Sequence, residues 1–496
     1  MKLQPGEFRK HRLLTAAIVI ITGILIYFPV FLHLDWWSYR AYDEATTGIN
    51  SYSIYKSGNF LIPTNEGEPE LWNCKPPFLL WCQVAFMKLI GPSELAVRLP
   101  TSISVVLLCV FFLFSLRYLT QNWLPGWLST MVLITTPGYI ANHVARTGDF
   151  DAMLSFFTCL YTVVFFFYLE ESDKRKKDTL LVLFFVFLLL ATFTKGIAAL
   201  IFLPVLFALC LFEKKVTLLV KSSAFWLFSI LYIILVGGYY YYRNYKVPAY
   251  FNAMLDNEIL GRYQGGADDH SGLWTFYLSL ACKQTYSYWL WFLSLPLFLM
   301  LFTPSRFKKF YTYLSLLIVF HHFVIARAVT KLNWYLAPEY PLLAMFIGLG
   351  MYEFCDLIIH STKQKWAVIL TFIIIVFGFP YNQVVHSVYM PDDYHSYPNE
   401  LPDFGNEIRR QLRIAKEPDL YLYCGQPFIP DLKLQLLSQQ EKGNKVHFLN
   451  EEPRDISNSR VIIIPSAFNQ YIGNVYRYEI VKETPVYRVC RVFEKR

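Results

Sequence analysis

The residues best equipped for chemistry in this 496-residue chain are charged side chains caught between long apolar runs. Asp43 and Glu44 stand side by side just after the first such run, 13–34. A carboxylate at a membrane edge can take the proton of an acceptor hydroxyl or orient the attacking group. The competing role is a helix cap, but charge placed close to hydrocarbon is costly and is usually kept for use. Lys75 heads Lys75-Pro76-Pro77. The two prolines restrict the backbone and hold the lysine in place, and a lysine at a membrane surface suits a lipid phosphate. Arg146, Asp149 and Asp151 lie together just ahead of another apolar run, 151–169. They can bind a sugar or support the first-loop base. Their competing role is an Arg–Asp pair at a helix N-terminus, where a carboxylate meets the helix dipole favourably.

Lys195, Arg262 and Lys331 offer more positive charge for the same anion. Lone basic residues at span ends also snorkel to headgroups. Lys195 fits that description least well, because ATFTKGIAALIF is apolar on both sides of it. Tyr335, in YLAPEYP, serves equally as a site residue or as part of an interfacial aromatic belt. His270, in DDHSGLWTFY, reads first as a solvated loop histidine. With Cys74 or a carboxylate it could ligand zinc, although no ligand spacing in the sequence calls for it. The nine cysteines follow no metal or disulfide pattern. Cys109, Cys159 and Cys210 sit in apolar runs as small core residues, and only Cys424 and Cys490 in the polar tail are placed to form a disulfide. No glycine-rich phosphate loop is present.

The elements that must position these groups are membrane spans. Hydrophobic residues make up 55% of the chain, and apolar runs of membrane-crossing length recur through it. Candidate spans are 13–34, 99–119, 124–141, 151–169, 179–193, 197–212, 222–242, 285–302, 309–328, 335–354 and 366–385. The first is too long for a signal-peptide core and reads as an anchor. Residues 78–91 are shorter, contain Gln83 and Lys88, and suit an interfacial helix. With that segment kept out of the membrane, the basic connectors Lys174–Lys177, Lys214-Lys215, Arg306–Lys309 and Lys363–Lys365 all share the side of the N-terminus. The positive-inside rule then makes that side cytoplasmic. The outward loops are left holding the charged residues singled out above. The formal net charge of +8 is thus largely topological, and nucleic acid is not an expected partner. Residues 1–385 form the membrane domain. Residues 386–496 turn polar, with short strand-like runs at 419–423, 446–449, 460–465 and 486–493 and a helix at 432–441, which predicts a small outward-facing α/β domain.

The order of these motifs resembles that of the bacterial lipid A aminoarabinose transferases and the related protein O-mannosyltransferases, both of the GT-C class. The resemblance runs through YDE, CKPPF, RLP, Arg146 with Asp151, TKG, RYQGGADDHSGLWTFY and KLNWYLAPEYP, over about residues 10–350. It implies a polytopic GT-C fold of about 11–13 transmembrane helices, with interfacial helices in the first outer loop. It also implies a bacterial inner-membrane enzyme with a periplasmic tail domain, which moves a sugar from a polyprenyl-phosphate donor to a lipid, glycan or protein acceptor. By the same resemblance Asp43 is the principal loop-one carboxylate and Asp151 the loop-two aspartate. Lys75 would meet the donor phosphate with Arg262 and Tyr335 nearby, and His270 is the long-loop histidine. One departure stands out: the aminoarabinose transferases carry a glutamate associated with zinc before this lysine, and here the position is Cys74. No cofactor is required by the expected reaction, and zinc would depend on Cys74 and His270. The rival readings are a transporter or lipid flippase, and a scaffold that binds through its tail. The first expects repeats and mid-membrane charge; the second leaves the outer-loop charges without a purpose.

Overall fold

The computed structural model describes residues 5–40, 42–65, 67–140, 143–265, 271–286, 288–359, 365–389, 407–408, 410–411, 419–423, 430–448, 460–463, 476–483 and 488–495. Each apolar run becomes helix, as expected where backbone groups must be satisfied within the segment. Five described helices are long and apolar enough to cross a bilayer: Glu94–Thr120, Asp151–Glu170, Lys174–Leu200, Ser223–Lys246 and Lys308–Arg327. A bent pair, Phe276–Thr285 with Trp289–Phe302, makes up to six. The other expected spans fall in Pro5–Phe31, Leu124–Ile134, Leu203–Phe212, Glu339–Ile359 and Lys365–Tyr389. The segment read as interfacial is a helix of 13 residues, Phe78–Ile90.

The helix ends are written locally. The Asp173 side chain accepts from the Lys176 amide to start Lys174–Lys195. Ser222 caps the next long helix by accepting from the Phe225 amide. Leu124–Ile134 begins with proline near its first position, where the missing N–H does no harm. At one end of the bundle, Lys215 and Lys309 both reach Glu170 and Glu213. The connectors after Asp151–Glu170 and Leu203–Phe212 and before Lys308–Arg327 therefore gather together, as the charge parity requires. These partly exposed pairs add little stability.

The chain divides into two compact units. The first comprises Met1–Leu32, Pro69–Leu79 and Pro100–Pro391, and the second His33–Glu68, Leu80–Leu99 and Asp392–Arg496. The last cut between the units falls after Pro391, whereas the sequence reading put a boundary at 385. The difference is that much of the first loop belongs with the tail. Within the second unit, the helix Asp43–Ser57 packs on the tail helix Pro430–Glu441. Tyr39, Ala45, Ile49, Met87, Val97 and Leu434 form a common core, and Tyr39 hydrogen-bonds Ser438. A Cβ on Gly48 would come within 2.3 Å of Leu434, so glycine permits the close approach.

The tail carries a five-stranded sheet: β1 Leu420–Tyr423, β2 Val446–Phe448, β3 Arg460–Ile463, β4 Tyr476–Glu483 and β5 Arg488–Lys495. Its order is β2-β1-β3-β5-β4. β1 runs parallel to β2 and β3, and β5 runs antiparallel to β3 and β4. β4 was not expected from the sequence. It is an edge strand, and its charge-rich YRYEIVKE hides the alternation of a half-buried strand. The Cys424–Cys490 disulfide falls on Cys424, outside the described residues; Cys490 is buried with a free thiol.

In the first unit Leu124–Ile134 lies against Glu339–Ile359. Their backbones meet at Gly348, where a Cβ would sit 2.5 Å from the Ser129 amide nitrogen. Small residues let membrane helices approach this closely. Gly348→Leu is expected to destabilise the protein by at least about 3 kcal/mol, since backbone cannot yield as a side chain can. Thermal unfolding of the detergent-purified variant checks this; an unchanged transition would mean the helices can separate freely.

Candidate active site

The first unit builds its polar site around a buried ion pair. Asp151 opens the helix Asp151–Glu170, and Lys195 closes Lys174–Lys195, which packs beside it. Lys195 Nζ lies 2.7 Å from each Asp151 carboxylate oxygen. The two side chains are only 8% and 2% exposed. The chain leaves Lys195 through Gly196 at φ +54°, where a Cβ would meet the Tyr240 hydroxyl at 2.9 Å. The TKG sequence is therefore a geometric requirement: the lysine ends its helix and glycine makes the turn. Pro76 Cδ lies on the same spot, 3.5 Å from that Cβ position, so the Lys75-Pro76-Pro77 segment runs past this turn.

Lys75 Nζ is 3.0 Å from Glu258 Oε1 and 3.4 Å from Asn73 Oδ1. It also sits 5.3 Å from the Phe150 ring centre. The loop leading to Lys75 is pinned through its carbonyls. Arg243 donates to Glu70, Asn257 to Leu71 and Tyr250 to Cys74. Arg243 is fully buried over the Tyr250 ring, 4.3 Å from its centre.

Asp151, Lys195 and Glu258 line a cavity of about 330 Å³, together with His321 and Tyr335. The remaining wall is mainly apolar and includes Leu154, Ile201, Phe320 and Val324. Lys195 Nζ lies 5.9 Å from the Tyr335 ring centre, so this tyrosine belongs to the site and not only to an interfacial belt. The cavity thus joins a charged end to a greasy wall.

Other singled-out residues prove to be committed to backbone. Arg146 donates to the carbonyls of Pro29 and Leu32, closing the end of the first helix. Lys331 donates to the carbonyls of Ile325, Ala326 and Ala328 at the end of Lys308–Arg327. Burial lowers its ammonium below the usual lysine range. Both were expected as ligand contacts, and both complete helix C-termini in this structure. Asp149 accepts from the Phe150 amide at 2.7 Å and lies 3.4 Å from His143 Nδ1. Burial opposes its charge, yet His143 and Lys195 outweigh that and hold its carboxyl down at about 2. It is ionised at neutral pH. His143, at φ +55°, stacks on Trp334 with ring centres 4.2 Å apart.

In the second unit, Asp43 is the first residue of its helix and is half-buried. Tyr42 immediately before it is held at φ 62° and ψ −97°, a conformation a bulky residue adopts only under constraint. Glu44, expected to share the chemistry, points inward and is 0% exposed. Arg98 clasps it through Nε at 2.7 Å and Nη2 at 2.8 Å, and the Arg40 amide donates to it as well. The remaining Arg98 donors go to the carbonyls of Leu34, Trp37 and Ser38. All five guanidinium N–H groups are used. Glu44 and Arg98 together shape the turn that presents Asp43.

Cys74, one half of the expected zinc pair, is held here as a protonated thiol. Its thiol is buried, donates to the Leu71 carbonyl and is pushed up to about 11 by burial and by the charge of Glu258. The metal-binding form is the thiolate, which needs the opposite surroundings. His270 lies outside the described residues, as does the side chain of Arg262, whose backbone belongs to Asp256–Gly265.

The geometry now stands beside known proteins. Residues 74–242, about a third of the chain, match the family model described as dolichyl-phosphate-mannose-protein mannosyltransferase. ArnT from Cupriavidus metallidurans bound to undecaprenyl phosphate superposes with a TM-score of 0.72 at 13% identity, covering 96% of this chain and 98% of that one. The fold is the GT-C fold of ArnT. The apo form of the same ArnT gives 0.66 at 14% identity over the same shares of the two chains. The Archaeoglobus fulgidus oligosaccharyltransferase gives 0.54 at 11%, covering 87% of this chain and 64% of that one. No curated protein matches by sequence. The GT-C resemblance read from the motif order is thus met in the fold, and the chain is a multi-pass membrane protein. Arg243 and Glu258 were among the outward-loop charges of the sequence, whereas sequence reasoning passed over His143, His321 and Glu339. The adjacent His321-His322 inside the apolar run 309–328 was the available signal for the last two.

Removing one partner of a buried ion pair strands the other charge. Asp151→Asn and Lys195→Met are each expected to destabilise by about 3–5 kcal/mol. The double variant should lose clearly less than the sum. Thermal unfolding of the four proteins measures it; additive losses would show that the pair is not coupled.

Proposed function

We propose that this protein is a membrane glycosyltransferase that moves a sugar from a polyprenyl-phosphate donor to an acceptor hydroxyl at the outer face of the bacterial inner membrane, with inversion. The observation that carries the reading is the cavity, which places Asp151, Lys195 and Glu258 against an apolar wall. A polyprenyl phosphate has the matching chemistry, an anion on a hydrocarbon tail. The fold supports the reading, and so does ArnT's capture with undecaprenyl phosphate.

The acceptor oxygen attacks the anomeric carbon while the carbon–oxygen bond to phosphate breaks. The electron pair leaves with the polyprenyl phosphate, which gains a negative charge. Lys75 sits beside the cavity-lining Glu258 and is the cation assigned to that growing charge. Stabilising charge that appears only as the bond breaks is normally a large share of catalysis. Lys195, with Tyr335 over it, is the second cation, and Asp151 sets its position. Asp43 is assigned as the base that accepts the hydroxyl proton; the family resemblance and the strained turn before it support that role. Glu44 acts through Arg98 by fixing that turn. Arg262 is retained as a further phosphate contact on the resemblance. Zinc is not needed for any step. The basic connectors support a cytoplasmic N-terminus and an outward tail domain, which is suited to meeting a lipid, glycan or protein acceptor.

Asp43→Asn is expected to cut transfer by at least about 100-fold, the usual reach of a general base, with folded protein retained. Lys75→Ala is expected to weaken donor binding roughly tenfold, the value of a charge-assisted contact. Transfer assays with envelope lipid and protein fractions, alongside donor binding, check both. Normal turnover by Asp43→Asn would remove the base, and unchanged donor affinity in Lys75→Ala would remove the phosphate contact.

A further inference from the structure

One wall of the cavity holds a histidine that the reaction as described does not use. His321 lies within Lys308–Arg327 and is 1% exposed. Imidazole inside an otherwise apolar helix is costly unless it is paired. Here it is paired on one side only among the described residues. Its Nδ1 lies 2.8 Å from Glu339 Oε1, and its ring stacks on Phe202 with centres 5.4 Å apart. Glu339 is itself buried, 3% exposed, and His322 Nδ1 takes its other oxygen at 3.4 Å. A carboxylate bound to Nδ1 fixes the ring's orientation, as it does for histidines that must present Nε2 to a ligand. His321 lines the cavity along with Asp151, Lys195 and Glu258. With Nδ1 engaged, Nε2 is the atom through which it can meet an occupant.

The two lysines near this cavity already have carboxylate partners, Asp151 and Glu258. A phosphate entering it gains from a donor that does not have to leave an ion pair. To donate to Glu339 and to a phosphate at once, the ring must carry a proton on each nitrogen, as the imidazolium, and an anion on either side favours that form.

We propose that His321 is a phosphate-binding residue of the cavity, donating from Nε2 to a non-bridging oxygen of the polyprenyl phosphate, with Glu339 as its positioning residue. The proposal rests on the donor class named above and adds a recognition element to it.

The test is binding of undecaprenyl phosphate and of the uncharged alcohol undecaprenol to the full-length protein in detergent. His321→Phe keeps the ring stack and removes both nitrogens. It is expected to raise Kd for the phosphate about tenfold or more while leaving the alcohol within about twofold. His321→Gln keeps a donor near the Nε2 position and should restore phosphate binding to within about threefold of wild type. Glu339→Gln should weaken the phosphate selectively as well. If His321→Phe binds both lipids like wild type, or loses both equally, the phosphate role is overturned, the second result marking a wall residue only. If His321→Phe does not fold, His321→Gln decides: phosphate-selective binding near wild type sustains the proposal, and an equal loss of both lipids overturns it. Failure of the wild-type protein to bind undecaprenyl phosphate would bring down the donor reading and this proposal with it. Loss of phosphate binding in Lys75→Ala but not in either His321 variant would leave the donor reading standing alone.

Discussion

Buried charge must be matched where it lies, and the first unit is arranged around that demand. Asp151 and Lys195 are nearly inaccessible, and a charge buried in an apolar bundle without a partner is strongly destabilising. Their contact fixes how the end of one helix meets the start of another. It also makes the glycine after Lys195 obligatory and sets the floor beneath Tyr335. The segment carrying Lys75 passes the same turn, with its carbonyls tied down by Arg243, Asn257 and Tyr250. A cavity with one polar end follows from satisfying these groups. The second unit meets the same demand differently: Arg98 spends every donor on Glu44 and three carbonyls, and the reward is a rigid turn ahead of Asp43.

Much of this was legible in the chain itself. Long apolar runs can be satisfied only as helices, so the helical segments could be placed along the chain directly. The basic connectors were expected on one side, and lysines of two of them, Lys215 and Lys309, meet at Glu170 and Glu213. Lys75, Asp151, Lys195 and Tyr335 were recognisable because each places polarity where hydrocarbon would be cheaper, and the structure brings them to one cavity or its edge.

What was not legible has a common cause. Arg146, Lys331 and Glu44 look like site residues by type and position, but their partners are mostly backbone groups far away in sequence, or an arginine 54 residues on. A carbonyl left open at a helix end carries no side-chain signature, so the residue that closes it resembles a free cation. The edge strand Tyr476–Glu483 was hidden for a related reason, since its charges face solvent and mask its inner face. Membership of the first loop in the tail's unit was equally invisible, because it depends on the fit of Gly48 to Leu434 and of Tyr39 to Ser438.

The pairing of Lys75 with Glu258 and of Lys195 with Asp151 carries a kinetic corollary. An empty pocket built this way is close to electroneutral, so in the proposed reaction a sugar phosphodiester with its single charge would displace these carboxylates only weakly. The spent lipid, a monoester with a second negative charge, competes with them far better. Turnover would then be paced by the escape of that lipid from the pocket more than by bond cleavage, and membrane stocks of the spent carrier would throttle the enzyme.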